Sequence, residues 1–154
     1  MTVAVRLKSF LDEKNAVYRI ESHERAYTAQ EVAELTHVRG IEMVKAVIVV
    51  ADGAHIMLAL PASAKVDMTM LRMSLGVKEA RLAVEKEFEK DFPDCELGGM
   101  PPFGKIYGLR MIASDALRGD EDIVFNAGNH TEVIHMKRED WEYLAQPEWA
   151  KFTR

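Results

Sequence analysis

Val3, Leu7, Phe10 and Leu11 recur at helical spacing with charges between them, which predicts an amphipathic first helix over residues 3–14. Val17-Tyr18-Arg19-Ile20-Glu21 reads as a short strand. Thr28-Ala29-Gln30-Glu31 has capping-box spacing and is followed by Val32, Ala33 and Leu35, so a second helix starts near Ala29 and ends before Gly40. Val44 to Val50 is the strongest strand signal; it is apolar on both faces and is therefore covered on both sides. Asp52-Gly53 links it to a second apolar run from His55 to Leu60, closed by Pro61, which is a hairpin pattern. Asp67 can cap a helix running through Leu75 to Gly76. Ala80 to Ala83 is short and ambiguous, and Glu85 to Lys90 makes one or two helical turns. Leu109 to Ala113, Ile123 to Ala127 and Glu132 to Met136 read as strands. A helix from Arg138 to Ala145 follows, and the aromatics Trp149 and Phe152 pin the tail. Short strands among helices, without regular βαβ alternation, predict a mixed α+β domain with a curved sheet.

One charge breaks this pattern. Lys45 has the parity of Val47 and Val49 and shares their apolar face. If Asp52-Gly53 closes a two-residue loop, pairing runs from Ala51 with Ala54 inward to Lys45 with Leu60. A lysine there has two readings: an end-of-strand side chain snorkelling to water, or a cation at the rim of a pocket, aimed at a carbonyl or phosphate oxygen.

A second interruption is Gly98-Gly99-Met100-Pro101-Pro102-Phe103-Gly104, which can continue neither a helix nor a central strand. It reads as a tight turn, or as a shaped loop whose bare amides cradle a ligand oxygen. Of the five histidines, His130 follows a Gly128-Asn129 turn that can set it at a pocket edge, with an exposed loop position as the alternative. His130 and His135 are an odd step apart and no H-x-x-x-H or C-x-x-C pair exists, so no metal site is expected. Cys95 has no local base beside it and reads as structural. Ser63 and Asp67 flank the end of the hairpin as a loop residue and a helix cap that could also line a cleft.

Bulk composition narrows the classes. With 154 residues, 48% apolar and 29% charged, the chain fits one globular domain spanning 1–154. A net charge of −5 argues against holding nucleic acid by phosphate neutralisation alone, but not against gripping a single-stranded end. The single cysteine excludes an internal disulfide, the N-terminus lacks a signal-peptide pattern, and no window is long and apolar enough for a membrane span. The expected location is the cytoplasm.

Taken in order, the landmarks resemble the YbaK/ProX family, free-standing aminoacyl-tRNA deacylases related to the editing insertion of bacterial prolyl-tRNA synthetases. They are Thr28-Ala29-Gln30-Glu31-Val32-Ala33, the strand entered through Val44-Lys45, the Asp52-Gly53 hairpin ending in Leu60-Pro61 and the Asp67-led helix. Ala80-Arg81-Leu82-Ala83, Gly99-Met100-Pro101-Pro102-Phe103-Gly104 and Asn126-Ala127-Gly128 complete the series, over roughly residues 20–140. The resemblance implies a barrel-like mixed sheet surrounded by helices. It implies hydrolysis of the ester joining a wrong, small amino acid to the 3′-terminal adenosine of a tRNA, without metal or other cofactor. It casts Lys45 as the substrate anchor and the loop amides of Gly99 to Gly104 as donors to the carbonyl oxygen. Leu60, Pro101, Pro102, Phe103, Gly128 and His130 would line the pocket. Mischarged tRNA is the implied partner, with room for a synthetase or elongation factor to deliver it. The family residue after the lysine is often polar, and Ala46 departs from this, so no amino-acid specificity carries over. Two other readings stand beside the deacylase: a non-catalytic synthetase-associated tRNA-binding module, and a hydrolase of another small ester or thioester.

Overall fold

The computed structural model describes residues 3–154. Its helices are α1 (Val5–Glu13), α2 (Ala29–Leu35), α3 (Met68–Leu75), α4 (Glu85–Phe88) and α5 (Arg138–Ala145). Its strands are β1 (Arg19–Ser22), β2 (Met43–Ala51), β3 (Ala54–Pro61), β4 (Ala80–Leu82), β5 (Arg110–Ser114), β6 (Asp122–Asn126), β7 (Glu132–Lys137) and β8 (Glu148–Ala150). All eight strands join one mixed sheet in the order β1-β7-β6-β2-β3-β5-β8, with β4 added to β2. The expected α+β class is borne out. The barrel-like closure is not: β1 and β8 lie at opposite ends of the order and do not pair, so the sheet is open.

Local chemistry sets the boundaries. The Thr28 hydroxyl accepts the Glu31 N–H at 3.1 Å and starts α2. That helix stops at Leu35, before Gly40 as expected, where the Thr36 hydroxyl donates back to the Val32 carbonyl (2.8 Å) and His37 turns to φ 57°. Asp67 caps α3 by accepting the Met70 N–H at 3.0 Å, and Gly76 ends it at φ 67°. The ambiguous piece at Ala80 is a strand that pairs with the hairpin end of β2.

The two-residue Asp52-Gly53 turn fixes the β2–β3 register from Ala51↔Ala54 to Val44↔Pro61 and sets Lys45 opposite Leu60, as the parity argument requires. Beside β2 on its other edge runs β6, parallel, with Met43↔Val124 and Val44↔Phe125.

Both faces of the sheet are covered. On one, Val44, Ile48, Met57 and Phe125 pack with Leu7 and Leu11 of α1, Trp141 of α5 and Phe103 into a single cluster. On the other the cover is split. Leu58 and Leu60 pack with Leu71 of α3 and Phe152 of the tail, whereas Met43, Ala62 and Val124 pack with Val32 and Ala33 of α2. The tail is pinned as expected, through buried Phe152 and a main-chain exchange between Arg154 and Lys65 at 2.9 and 3.0 Å.

Candidate functional site

Lys45 emerges on the split face, at the seam between its two clusters. Leu60 across from it belongs to the α3 cluster and Met43, two residues back, to the α2 cluster. The side chain is half-buried, and among the described residues its Nζ finds only the Ala62 carbonyl, at 3.5 Å. The Gln30 amide of α2 donates to the same oxygen at the same distance, so neither bond is strong. Burial, with a smaller contribution from the neighbouring Lys65, holds the Lys45 ammonium below the ordinary lysine range. Lys45 is thus a cation without a carboxylate partner among the described residues, on a strand and half-exposed to water.

Asn126 stands one register step beyond the last β2–β6 pair, Val44↔Phe125, and so lies beside Lys45 and on the same face. Its side chain is 7% exposed, and its Oδ1 is fully buried without a hydrogen-bond partner. Such a group is rare in a native interior.

The glycine-proline loop approaches the same end of β6 from the opposite side. Gly128, two residues past Asn126, donates its N–H to the Gly99 carbonyl at 2.9 Å, and its own carbonyl accepts the Glu96 N–H at 2.8 Å. Both glycines are required by contact. A Cβ on Gly99 would sit 2.8 Å from the Asn129 main chain, and one on Gly128 would sit 2.5 Å from the Ala4 Cβ. His130 is buried rather than an exposed loop residue; its Nε2 donates to the Leu97 carbonyl at 2.8 Å and its main-chain N–H to the Glu96 carboxylate at 3.3 Å. Glu96 also accepts from Arg25 at 2.8 Å, a contact that holds its carboxyl below the usual range. His130 and Gly128 therefore fasten the base of the loop.

Not every expected site residue faces open space. Phe103 is fully buried in the far cluster, 5.9 Å from the Phe10 ring and 5.5 Å from the Phe125 ring. The Pro102 carbonyl accepts the Trp141 indole N–H at 2.9 Å, and Pro101 and Leu60 are buried too. The Gly99 amide is not bare either: it donates to the Glu96 carbonyl at 3.0 Å. The Met100 and Gly104 amides have no partner among the described residues. Gly104 packs so closely that a Cβ would meet the Leu109 carbonyl at 2.7 Å.

Sequence reasoning missed three contributors. Asn126 falls inside the expected Ile123–Ala127 strand and closes β6, but nothing in the sequence marks its side chain as a site group. Tyr27, exposed and with its ring centroid 4.9 Å from that of His130, had no sequence signal. Nor had Arg25, whose partner lies 71 residues away. Cys95 reads as structural still, because burial pushes its thiol up to about 12 and it carries almost no thiolate at neutral pH. A separate groove of about 870 Å³, lined by Arg19, Arg39, Lys137, Glu42, Asp122 and Glu139 among others, includes neither Lys45 nor the loop. Its mixed charges offer a polyanion no net attraction.

An open mixed sheet with this strand order and these flanking helices has known relatives. The family model of the aminoacyl-tRNA editing domain matches residues 23–144, and the chain belongs to that family. The chain is similar to the multifunctional Ser/Thr-tRNA deacylase ProXp-y of Escherichia coli strain K12, with 30% identity over 155 residues covering 97% of this chain and 92% of the relative. The deacylase of the same description from E. coli O157:H7 matches equally. Among solved structures, one provisionally described as a trans-editing enzyme for prolyl tRNA synthetase superposes with TM-score 0.85 at 17% identity, covering 98% of this chain and 96% of that one. The hypothetical protein APE2540 superposes with TM-score 0.84 at 17% identity, over 97% of this chain and 99% of its own. These superpositions show the shared fold.

Proposed function

We propose that this protein is a trans-editing aminoacyl-tRNA deacylase that hydrolyses the ester of a tRNA mischarged with a small amino acid. The observation that carries this reading is Lys45, half-buried with one long bond and no carboxylate partner among the described residues, beside the unpartnered Oδ1 of Asn126. The family and the deacylase relatives support the reaction class. The Ser/Thr relatives favour an amino acid with a small hydroxyl side chain.

Lys45 anchors the terminal adenosine by donating to a ribose or phosphate oxygen, and the nearby Lys65 adds to the attraction. Water adds to the ester carbonyl carbon and the C=O electron pair moves to oxygen. The tetrahedral species then collapses by breaking the bond to the ribose oxygen, which leaves as a hydroxyl with a proton from the attacking water. Products are the free amino acid and uncharged tRNA. Negative charge develops on the carbonyl oxygen, and fixed N–H donors are the natural stabilisers, each worth about 100- to 1000-fold in rate. Of the loop donors, the Gly104 amide is available, whereas Gly99 would first have to release the Glu96 carbonyl. An ester is reactive enough that no Ser-His-Asp triad is needed.

With a net charge of −5, autonomous affinity for tRNA is weak and strongly salt-dependent, so a synthetase or elongation factor delivers the substrate. The test is a panel of tRNAs charged with serine, threonine, alanine or cysteine, incubated with the protein. Release of at least one small amino acid above the uncatalysed rate is expected. No release of any, together with co-purification of a synthetase, would favour the non-catalytic binding module.

A further inference from the structure

The edge of β2 that faces β6 and β4 is paired only at its ends. Met43 accepts the Ala62 N–H at 2.7 Å on the β3 side, whereas Glu42 accepts from Val124 (3.0 Å) and Ile48 from Ala83 (2.9 Å) on the opposite side. Main-chain groups of alternate residues in an antiparallel strand point to opposite edges. Even-numbered residues of β2 therefore face away from β3. Val44 lies against Phe125 of β6 and Val50 against Arg81 of β4, but Ala46 falls between the two neighbours. Its N–H and its C=O have no partner among the described residues, and the residue is only half-buried. The unpartnered Oδ1 of Asn126 borders the same gap.

An aminoacyl ester carries an α-amino donor and a carbonyl acceptor in the same order and separation as a residue in a strand. Ala46 offers the complementary acceptor and donor. We infer that the gap is the aminoacyl subsite, where the amino acid docks as a one-residue strand on Ala46. The Ala46 N–H donates to the ester carbonyl oxygen, the Ala46 C=O accepts from the α-amino group, and Asn126 Oδ1 accepts a second α-amino hydrogen. Recognition through the main chain leaves the amino-acid side chain outside the pairing, which suits a multi-substrate deacylase. It also supplies an oxyanion donor that is already free, on a strand rather than on a loop. The inference rests on the deacylase reading.

Two experiments test it. In the first, position 46 is made L-lactate by nonsense suppression, which exchanges the amide N–H for an ester oxygen and keeps the methyl side chain. Single-turnover hydrolysis of seryl-tRNA is expected to slow by about 100-fold. A wild-type rate in the substituted protein would overturn the inference. In the second, which needs only wild-type protein, tRNA bearing 3-hydroxypropionate is compared with seryl-tRNA. This analogue keeps the hydroxyl and lacks the α-amino group. Enzymatic rates, normalised to uncatalysed hydrolysis, should fall about tenfold or more, the factor for one good hydrogen bond; equal normalised rates would overturn the assignment. If wild type hydrolyses neither ester and releases none of the four amino acids of the panel, the deacylase reading itself fails, a result distinct from either outcome above; if it releases another of the four, the same two comparisons are made with that amino acid and its deamino analogue.

Discussion

The two faces of the central sheet are finished to different degrees. The face under α1, α5 and Phe103 is one continuous apolar cluster in which Trp141, Phe103 and Phe125 are fully buried. The opposite face is two smaller clusters with a lysine, an asparagine whose Oδ1 lacks a partner and an incompletely paired strand edge at their seam. One side holds the molecule together; the other leaves polar groups unsatisfied on a rigid frame. A native fold carries few such groups, and their convergence at one place distinguishes a site from packing noise.

If that division is correct, substitutions on the two faces should separate stability from activity. The largest effect is expected from Phe103→Ala, which empties a fully buried ring position and should cost about 3–5 kcal/mol in urea unfolding. A loss below about 1 kcal/mol would break the claim that the loop is a core element on that side. Next is Lys45→Met. A charged hydrogen-bond donor is worth about 1.5–3 kcal/mol, so kcat/KM should fall about 10- to 100-fold while the unfolding midpoint stays level or rises, because a half-buried cation has been removed. Gly99→Ala comes third. Its new methyl would meet the Asn129 main chain at 2.8 Å, and the enforced shift should cost about 1–3 kcal/mol of stability, with activity lost alongside as the loop base moves.

The smallest expected effect lies away from the site, at Asp120. Burial, aided by Glu42, raises its carboxyl to about 6, and its Oδ2 is buried without a partner. A raised folded-state value means that the stability it contributes is full below its unfolded value of 3.8 and is lost as pH rises through about 6. Asp120→Asn should flatten the fall in thermal midpoint between about pH 4 and pH 6, without changing hydrolysis. An unchanged slope would show that another group controls it.

Much of the sheet was legible in the sequence, because Asp52-Gly53 permits one register and that register alone places Lys45 against Leu60. Helix caps at Thr28 and Asp67 were equally local, hence equally legible. The loop was recognisable as a loop, but not its attachment: its Gly99 and Pro102 carbonyls take donors from Gly128 and Trp141, 29 and 39 residues on, and such contacts leave no mark in composition. For the same reason Phe103 looked like a pocket residue and proved to be core. Ala46 was the least legible of all. Its side chain gives no hint, and its main chain becomes a candidate donor and acceptor only because β6 and β4 stop on either side of it.

The central claim is that the unfinished face is where ester hydrolysis occurs. Single-turnover release of serine or threonine from mischarged tRNA, by wild type and by Lys45→Met protein of matched stability, tests it most directly. The account predicts hydrolysis well above the uncatalysed rate by wild type, and a loss of about 10- to 100-fold in the variant. Full activity in the variant would contradict it.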